Sequence, residues 1–405
     1  MQPKASERQT GQPSWAERPP FWLITLPFAL AETIVWAAYY YAFPAFLLIW
    51  ESDLGWSKTE LSGAFTVALI VSALLAPLVG RLIDRGHATL IFASSAFAAA
   101  CLLATLAAVT ELWQFYLVWL GLGVAMAGSL YEACFAVVTR TLGTSARRGI
   151  TIIALIAGFA GTVSFPSAHL LSTWLGWRGA ALVFAAAVAF VAVPLILFAA
   201  TIGERNRSKT MSDASLHFRH ALTVVGDPTF WRLFLLFAAV ALNHVVLLTH
   251  LLPILADRGV APETAVLAAS MIGPMQVAGR IAMLTLGRNA SSRLIFVACL
   301  TATASASLLL LGAGASMIFL FGFVALQGAG YGVTSIIRPV FTAEQFGRKN
   351  FGTVAGLLAI AFVGGSAAAP TIAALIWTVG GYRMVIGFAC VTSIIGLLTL
   401  ATRRA

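Results

Sequence analysis

The chain has 405 residues, of which 60% are hydrophobic and only 10% are charged, whereas an ordinary soluble domain carries roughly 25% charged residues. So few charges could not cover the surface of a water-soluble protein of this length. The composition therefore excludes a soluble enzyme, a nucleic-acid-binding module and a disulfide scaffold, although the formal net charge is +10. It predicts an all-α protein that crosses a membrane many times.

Long apolar runs predict twelve membrane-spanning helices, because one bilayer crossing needs ~20 apolar residues. In chain order the predicted spans cover 22–48, 58–82, 88–109, 112–139, 149–173, 178–201, 229–255, 262–286, 292–312, 315–342, 352–376 and 382–401. The longest polar stretch, 202–228, divides them into six and six. We therefore expect an N-terminal bundle at 21–201, a linker at 202–228 and a C-terminal bundle at 229–402, with tails at 1–20 and 403–405.

The distribution of basic residues predicts the orientation of the chain. With the N-terminus inside, the predicted outer loops hold only four of the 25 Lys and Arg residues. These four are Lys58, Arg178, Arg258 and Arg383. Cytoplasmic loops carry an excess of Lys and Arg, so both termini and the linker are predicted to be cytoplasmic. The start of the chain is polar and Pro-rich, unlike a cleavable signal, and we expect a bacterial inner-membrane protein.

The two predicted halves repeat each other at a nearly constant spacing. Val-Gly-Arg-Leu at 79–82 is matched by Ala-Gly-Arg-Ile at 278–281, which begins 199 residues later. Gly-Ser-Leu-Tyr at 128–131 is matched by Gly-Ala-Gly-Tyr at 328–331, at an offset of 200. Matches in chain order at one offset indicate duplicated six-span halves.

Residues 80–87, Gly-Arg-Leu-Ile-Asp-Arg-Gly-His, lie between the second and third predicted spans. They resemble the loop signature of the major facilitator superfamily, Gly-x-Leu-x-Asp-Arg-x-Gly, although the loop is one residue shorter after Arg85 and its basic pair is reduced to His87. The resemblance implies two pseudo-symmetric six-helix bundles and a gating loop that contains Gly80, Asp84 and Arg85. Asp84 could then pair across the inner face and hold one conformation closed. A solvated charged loop is the alternative interpretation.

A narrower resemblance covers most of the chain. Residues 50–57 and 61–65 resemble bacterial relatives of the monocarboxylate transporters and oxalate–formate antiporters, in which the first outer loop ends in Gly-Trp-Ser. Residues 276–280 resemble the eighth span of that group, where an arginine binds the substrate carboxylate. The sequence also departs from this group. Monocarboxylate transporters have Asp where this chain has Gln276, and they have a lysine in the first span, where the only charge of this chain is Glu32. The lysine that the antiporters carry in the eleventh span is also missing.

Arg280 is the main candidate for substrate binding. An ionised side chain at membrane depth costs several kcal/mol and usually faces a cavity or a partner, and a guanidinium presents a rigid fork to a carboxylate. Gln276 lies one turn earlier and shares a helix face with Arg280. Three more polar side chains at membrane depth are candidates for the substrate path: Tyr40, Asn243 and His244. A structural salt bridge of Arg280 with Glu32 or Glu132 is the alternative.

Two carboxylates are candidates for proton coupling, because acidic side chains inside membranes form proton relays. Glu32 lies midway along the first predicted span and Glu132 lies in the fourth. Permanent pairing with an arginine is the alternative role for both. Arg338 and Arg140 lie near the inner ends of their spans, and we expect them at the cytoplasmic mouth.

The predicted function is secondary active transport of a small organic anion, such as a monocarboxylate, by alternating access with H⁺ as the coupling ion. The nearest alternative is a proton-driven drug or toxic-compound efflux antiporter. Such antiporters commonly carry a Gly-Pro-x-x-Gly-Gly-type motif in the fifth span, and residues 158–166 of this chain do not match that motif. No Walker-type sequence and no metal-ligand cluster is present, so we expect neither enzyme activity nor a cofactor or metal. The expected partners are the solute, H⁺ and the lipid bilayer, without nucleic acid, and the protein is predicted to be monomeric.

Overall fold

The computed structural model describes residues 21–142, 145–205, 225–287, 290–346 and 351–401. Within these ranges the chain is almost entirely helical, and none of it forms a strand. The predicted tails at 1–20 and 403–405 lie outside the described residues, as does 206–224, the main part of the predicted linker. The boundary between the two halves therefore stays a prediction.

Among the described residues, 10 helices are long and apolar enough to cross a membrane. Two of them, Arg148–Gly203 with 56 residues and Val354–Ala401 with 48 residues, are about twice as long as the ~20 residues that one crossing needs. A glycine with a non-helical backbone interrupts each of these two, at Gly176 and at Gly381. The described chain therefore makes twelve crossings, which confirms the predicted fold class.

We number the crossings α1 to α12 in chain order. They are α1 Phe21–Leu54, α2 Lys58–Leu82, α3 Ala88–Leu106, α4 112–142, α5 146–175, α6 177–205, α7 228–257, α8 Pro262–Leu286, α9 Ser292–Leu310, α10 Met317–Phe346, α11 351–379 and α12 382–401. The bounds of α2 and α8 agree with the predicted spans, whereas α1 continues past its predicted end at residue 48 to Leu54.

The same glycine turn reverses the chain in both halves. Gly176 has φ 68° and ψ 168°, and Gly381 has φ 65° and ψ −168°, a region of backbone conformation that is essentially restricted to glycine. The two glycines are 205 residues apart. We refer to the end of the molecule that carries these turns and the loop at 55–57 as the predicted outer end.

The Gly-Trp-Ser loop at 55–57 is explained by helix capping. Gly55 ends α1 with a left-handed backbone, φ 70°, and its N–H donates to the carbonyl of Glu51 at 3.2 Å. Ser57 caps α2, because its side chain accepts from the N–H of Glu60 while the Glu60 carboxylate accepts from the N–H of Ser57 at 2.8 Å. This reciprocal capping box satisfies two donors that a helix start leaves unpaired.

The loop at 83–87 turns at a different glycine from the one proposed for gating. Gly80 lies inside α2, which continues to Leu82, whereas Gly86 has φ 103° and makes the turn. Arg85 is exposed. The side chain of Asp84 lies outside the described part of the chain, so its pairing stays a prediction.

Both halves contain the same close contact between helices. A Cβ on Gly123 in α4 would lie 2.4 Å from the carbonyl oxygen of Ala68 in α2. A Cβ on Gly328 in α10 would lie 2.8 Å from the carbonyl oxygen of Ile272 in α8. Small residues let membrane helices approach each other closely. The two glycines are 205 residues apart, as the glycine turns are, and their partners Ala68 and Ile272 are 204 apart.

The two halves contact each other through α2 with α11 and through α5 with α8. Thr371 donates from its Oγ1 to the Oγ1 of Thr66 at 2.8 Å, which joins α11 to α2. Thr162 in α5 donates to the carbonyl oxygen of Ser270 in α8 at 2.7 Å. All four residues lie in the predicted outer half of their helices.

Lys58 adds a charged contact between the halves at the predicted outer end. Its Nζ lies 4.4 Å from the centroid of the Trp377 ring in α11, and it forms an ion pair with Glu51 in α1. The lysine side chain is buried, so cation–π attraction and charge pairing act with little screening by water.

The closest approach of α5 and α8 depends on Gly273. A Cβ at this position would lie 2.7 Å from the carbonyl oxygen of Gly158 and 2.8 Å from the Oγ1 of Thr162. Only glycine therefore fits between these backbones without a shift. By contrast, a Cβ on Gly364 in α11 would meet nothing within 4 Å.

We predict that Gly273→Ala weakens this contact between the halves by about 1–3 kcal/mol, the usual cost of inserting a group into a filled interface. In a cysteine-free background, Thr66→Cys and Thr371→Cys should form a disulfide, and Gly273→Ala should lower its yield. Gly364→Ala is the matched control and should leave the yield unchanged. An unchanged yield in Gly273→Ala would show that the contact does not hold the halves together.

Candidate functional site

Arg280 lies between the two halves, toward the predicted inner end of its helix. Its side chain is on α8 and the residue is 8% exposed. Nε donates to the carbonyl oxygen of Gly332 in α10 at 3.0 Å. Nη1 would lie 3.6 Å from a Cβ on Gly158 in α5, so the guanidinium reaches the N-terminal half. The bond to Gly332 uses one of the five N–H groups of the guanidinium.

Glycine packing between α8 and α10 places that carbonyl next to Arg280. A Cβ on Gly279 would lie 2.5 Å from the carbonyl oxygen of Ala329, and a Cβ on Gly332 would lie 2.5 Å from the carbonyl oxygen of Gln276. The two backbones therefore touch on both sides of the arginine. Gln276 is buried in the same contact, one turn before Arg280.

Three tyrosines lie near enough to Arg280 to affect its charge electrostatically. Arg280 interacts electrostatically with Tyr131 in α4, Tyr331 in α10 and Tyr41 in α1. Each of the three rings is half-buried. Since α1 and α4 belong to one half and α10 to the other, the arginine and its tyrosines form a single site only when the two bundles come together.

Aromatic rings of α1 continue this group. The Trp36 ring centroid lies 4.8 Å from Tyr40, 4.7 Å from Tyr131 and 6.4 Å from Tyr41. Tyr40 and Tyr41 both interact electrostatically with Tyr331 across the interface. We call these five residues, Trp36, Tyr40, Tyr41, Tyr131 and Tyr331, the central aromatic cluster.

A π-helical stretch of α1 helps to form the cluster. Residues Trp36–Tyr41 are π-helical, and such stretches inside α-helices occur frequently at functional sites. The wider π-turn changes the direction of successive side chains compared with an α-helix. Tyr39 in the same stretch points elsewhere, because it is fully buried and its hydroxyl lies 2.6 Å from the Oγ of Ser129 in α4.

Glu32 is held directly beside the cluster. It is 0% exposed, and its Oε2 accepts a hydrogen bond from the Nε1 of Trp36 at 3.0 Å. Cys134 in α4 also lies close to Glu32. Tyr131 interacts electrostatically with both Glu32 and Arg280, so it lies near the buried carboxylate and near the buried cation.

Asn243 and His244 have different surroundings although they are neighbours in α7. The Nδ2 of Asn243 donates to the carbonyl oxygen of Ala389 at 2.8 Å, and its Oδ1 accepts from Gln327 at 2.9 Å. The amide is therefore bonded within the C-terminal half. His244 stacks on Tyr331 with ring centroids 3.3 Å apart and planes 7° apart, which places it against the central aromatic cluster.

The structure brings Arg280, Tyr40, His244 and Glu32 together and leaves other candidates elsewhere. Arg338 lies over the ring of Phe362 in α11, 3.6 Å from its centroid, and also interacts electrostatically with Tyr331. The side chains of Glu132 and Arg140 lie outside the described part of the chain. Within the described ranges, no group of three or more His, Cys, Asp or Glu could hold a metal ion.

Sequence reasoning did not single out Trp36, Tyr131 or Tyr331 as site residues. A signal for two of them was present, because Tyr131 and Tyr331 end the matching repeats at 128–131 and 328–331. The two tyrosines come from similar sequences but not from structurally equivalent positions, because the contacts of Gly123 and Gly328 relate the halves by 205 residues. Trp36 follows Glu32 by four residues, so the two side chains share a helix face.

Comparison with known proteins identifies the class of this protein. Residues 28–294, more than half of the chain, match the Major Facilitator Superfamily. The chain therefore belongs to the major facilitator superfamily. A search of curated protein sequences gave no match.

Solved structures share the fold along almost the whole chain. A bacterial homolog of the human lysosomal transporter Spinster, inward-facing and unoccupied, has a TM-score of 0.69 at 16% identity, covering 94% of this chain and 96% of that one. A mutant of the nucleoside transporter NupG has a TM-score of 0.72 at 12% identity, covering 94% and 98%. At such identities the likeness shows the fold alone. With the family match, it makes this protein a multi-pass membrane transporter of small solutes and not an enzyme.

We predict that Asn243 and Gln327 act as one structural unit. Asn243→Ala leaves the buried amide of Gln327 without its partner, and should cost about 1–3 kcal/mol of stability. Gln327→Ala should have a smaller cost, because Asn243 keeps its bond to Ala389. Thermal unfolding of the two single variants and of the double variant measures this coupling. The double variant should lose less stability than the sum of the losses in the two single variants. If the stability losses of the two single variants simply add up in the double variant, Asn243 and Gln327 are not coupled.

Proposed function

We propose that this transporter is a secondary active carrier of a small organic anion, such as a monocarboxylate, and that it works by alternating access. The observation that carries the proposal is the position of Arg280, a buried and permanently charged side chain between the two halves. A guanidinium does not lose its proton in a protein. The site therefore keeps a positive charge at every stage of a transport cycle.

A carboxylate is the ligand that this geometry favours. The Nε of Arg280 is already bonded to Gly332, and the terminal nitrogens of a guanidinium form the planar fork that binds carboxylates through two parallel hydrogen bonds. Tyr41, Tyr131 and Tyr331 interact electrostatically with the same cation. Their hydroxyl groups can donate to an anion held there, which adds directional contacts to the charge attraction.

Contacts in the predicted outer half support alternating access. The bonds of Thr66 with Thr371 and of Thr162 with Ser270 join the halves between the predicted outer end and Arg280. A solute at Arg280 could reach the predicted outer side only after these contacts separate. Rocking of one bundle against the other around a central site is how transporters with repeated halves expose that site to each side in turn.

Glu32 is the residue that we propose for proton coupling, which makes the transporter a symporter. Its carboxylate is buried beside Trp36 and Cys134, and Tyr131 interacts electrostatically with both Glu32 and Arg280. Protonation of Glu32 removes a negative charge from the surroundings of the bound anion. Proton and anion should then favour each other's binding by the same factor, because coupling between two sites is reciprocal.

The proposed setting is the bacterial inner membrane, with both termini in the cytoplasm and a single chain as the working unit. The scarcity of Lys and Arg in the predicted outer loops supports this orientation. Alternating access needs only two bundles, and one chain of this superfamily supplies both.

We predict that Arg280→Ala weakens carboxylate binding by about 2–5 kcal/mol, the usual loss for one partner of a buried charge pair. This corresponds to roughly 30- to several-thousand-fold in affinity, since 1.4 kcal/mol is tenfold. Arg280→Lys keeps the charge but lacks the planar fork of the guanidinium. Its affinity for carboxylates should lie between that of Arg280→Ala and that of the unaltered protein. Binding of acetate, lactate and benzoate to protein in nanodiscs would measure these effects, with the exposed Arg383→Ala as control. Unchanged affinity in folded Arg280→Lys and Arg280→Ala would remove Arg280 from the site.

We also predict that Glu32→Gln uncouples transport from the proton gradient, because the amide imitates a permanently protonated carboxyl group. In proteoliposomes, an inward proton gradient should accelerate carboxylate uptake by the unaltered protein and not by Glu32→Gln. Exchange of carboxylate across the membrane should continue in the variant. Glu263→Gln, at an exposed position in the first turn of α8, is the matched control. Uptake by Glu32→Gln that still follows the gradient would exclude Glu32 as the coupling residue.

A further inference from the structure

We propose that the solute of this transporter is an aromatic carboxylate, whose ring lies in the central aromatic cluster while its carboxylate binds Arg280. This inference rests on the proposed function and names the class of anion. It follows from the position of the cluster and from the surroundings of Glu32.

The central aromatic cluster lies at the depth of Arg280 and not at a membrane surface. Trp36 contributes from α1, and its ring lies 4.7 Å from that of Tyr131 in α4 and 4.8 Å from that of Tyr40. Tyr331 contributes from the opposite half. Aromatic belts of membrane proteins normally lie at the two interfaces with water, so a deep cluster across the interface of two bundles has another role.

The rings of the cluster are incompletely packed. Trp36, Tyr40, Tyr41, Tyr131 and Tyr331 are all half-buried, whereas nearby Tyr39 is fully buried. Each of these five rings therefore keeps part of its surface uncovered by the protein. A small anion such as acetate would occupy the guanidinium and leave the rings in contact with water. A planar ring attached to the carboxylate would cover them, because aromatic rings prefer offset-stacked and edge-to-face contacts with one another.

A cationic or zwitterionic solute fits these surroundings less well. Aromatic rings also attract cations, but Arg280 already supplies a positive charge at the cluster. An ammonium group would need a carboxylate within reach. Among the acidic side chains of α1, Glu32 is the one beside the cluster, and it is 0% exposed and accepts a hydrogen bond from Trp36. The aromatic faces therefore suit an uncharged ring.

Three carboxylates of equal charge test the proposal on the full chain in nanodiscs. Benzoate and cyclohexanecarboxylate have nearly the same size and differ in aromaticity, while acetate has no ring. We expect the affinity to fall in the order benzoate, cyclohexanecarboxylate, acetate. Benzylamine and phenylalanine carry the same ring with a cationic or zwitterionic group, and both should bind more weakly than benzoate. Empty nanodiscs correct for partition of the ring compounds into lipid.

Two variants test whether the ring of the solute binds in the central aromatic cluster. Trp36→Leu and Tyr41→Leu should each lower the ratio of benzoate affinity to acetate affinity about 3- to 10-fold, the size of one aromatic pair, because any loss of polar contacts affects both carboxylates alike. Trp113→Leu is the matched control, since Trp113 is 62% exposed in α4 and far along the chain from the cluster. Tyr41→Leu keeps the bond between Trp36 and Glu32, so it carries the test if Trp36→Leu does not fold.

The outcomes separate this inference from the proposed function. Equal affinity for benzoate and cyclohexanecarboxylate, or for benzoate and acetate, would overturn the aromatic solute while leaving an anion site at Arg280. Tighter binding of benzylamine or phenylalanine would also overturn it. Failure of all three carboxylates to bind would overturn the anion site itself, and the aromatic carboxylate with it.

Discussion

The positive charge of Arg280 has to be accommodated between two helical bundles, where an ionised side chain costs several kcal/mol. The protein meets this cost partly with the carbonyl oxygen of Gly332, 3.0 Å from Nε, and partly with three tyrosines that interact with the cation. These groups come from α1, α4 and α10. The site therefore exists only in the assembled molecule, and the contacts between helices decide its chemistry.

Close backbone contacts hold those helices in place. Gly279 and Gly332 let α8 and α10 touch on both sides of Arg280, and Gly273 lets α8 approach α5 of the other half. Without a difference in hydrophobicity between lipid and protein interior, membrane helices associate mainly through such packing and through hydrogen bonds. The bond between Thr66 and Thr371 is one example. The same residues that stabilise the bundles thus also determine where the arginine lies.

Glu32 and Arg280 carry opposite charges on opposite halves, and Tyr131 interacts with both. Trp36 has two roles, because its indole N–H binds Glu32 while its ring belongs to the central aromatic cluster. In the proposed mechanism, a change in the charge of Glu32 would act on Arg280 through these two aromatic side chains. This arrangement gives a physical basis for linking a proton to a solute in one site.

The sequence alone predicted the twelve crossings, because apolar runs are a local property of the chain, and its rare charges at membrane depth made Arg280 a candidate. It indicated Tyr40 and Glu32, but not the partners that surround them. The tertiary structure decided that Trp36, Tyr131 and Tyr331 join Arg280, and that Asn243 bonds to Gln327 and Ala389 instead. Membrane helices are apolar around most of their circumference, so their rotation and partners follow from packing that spans the whole chain and not from any local pattern.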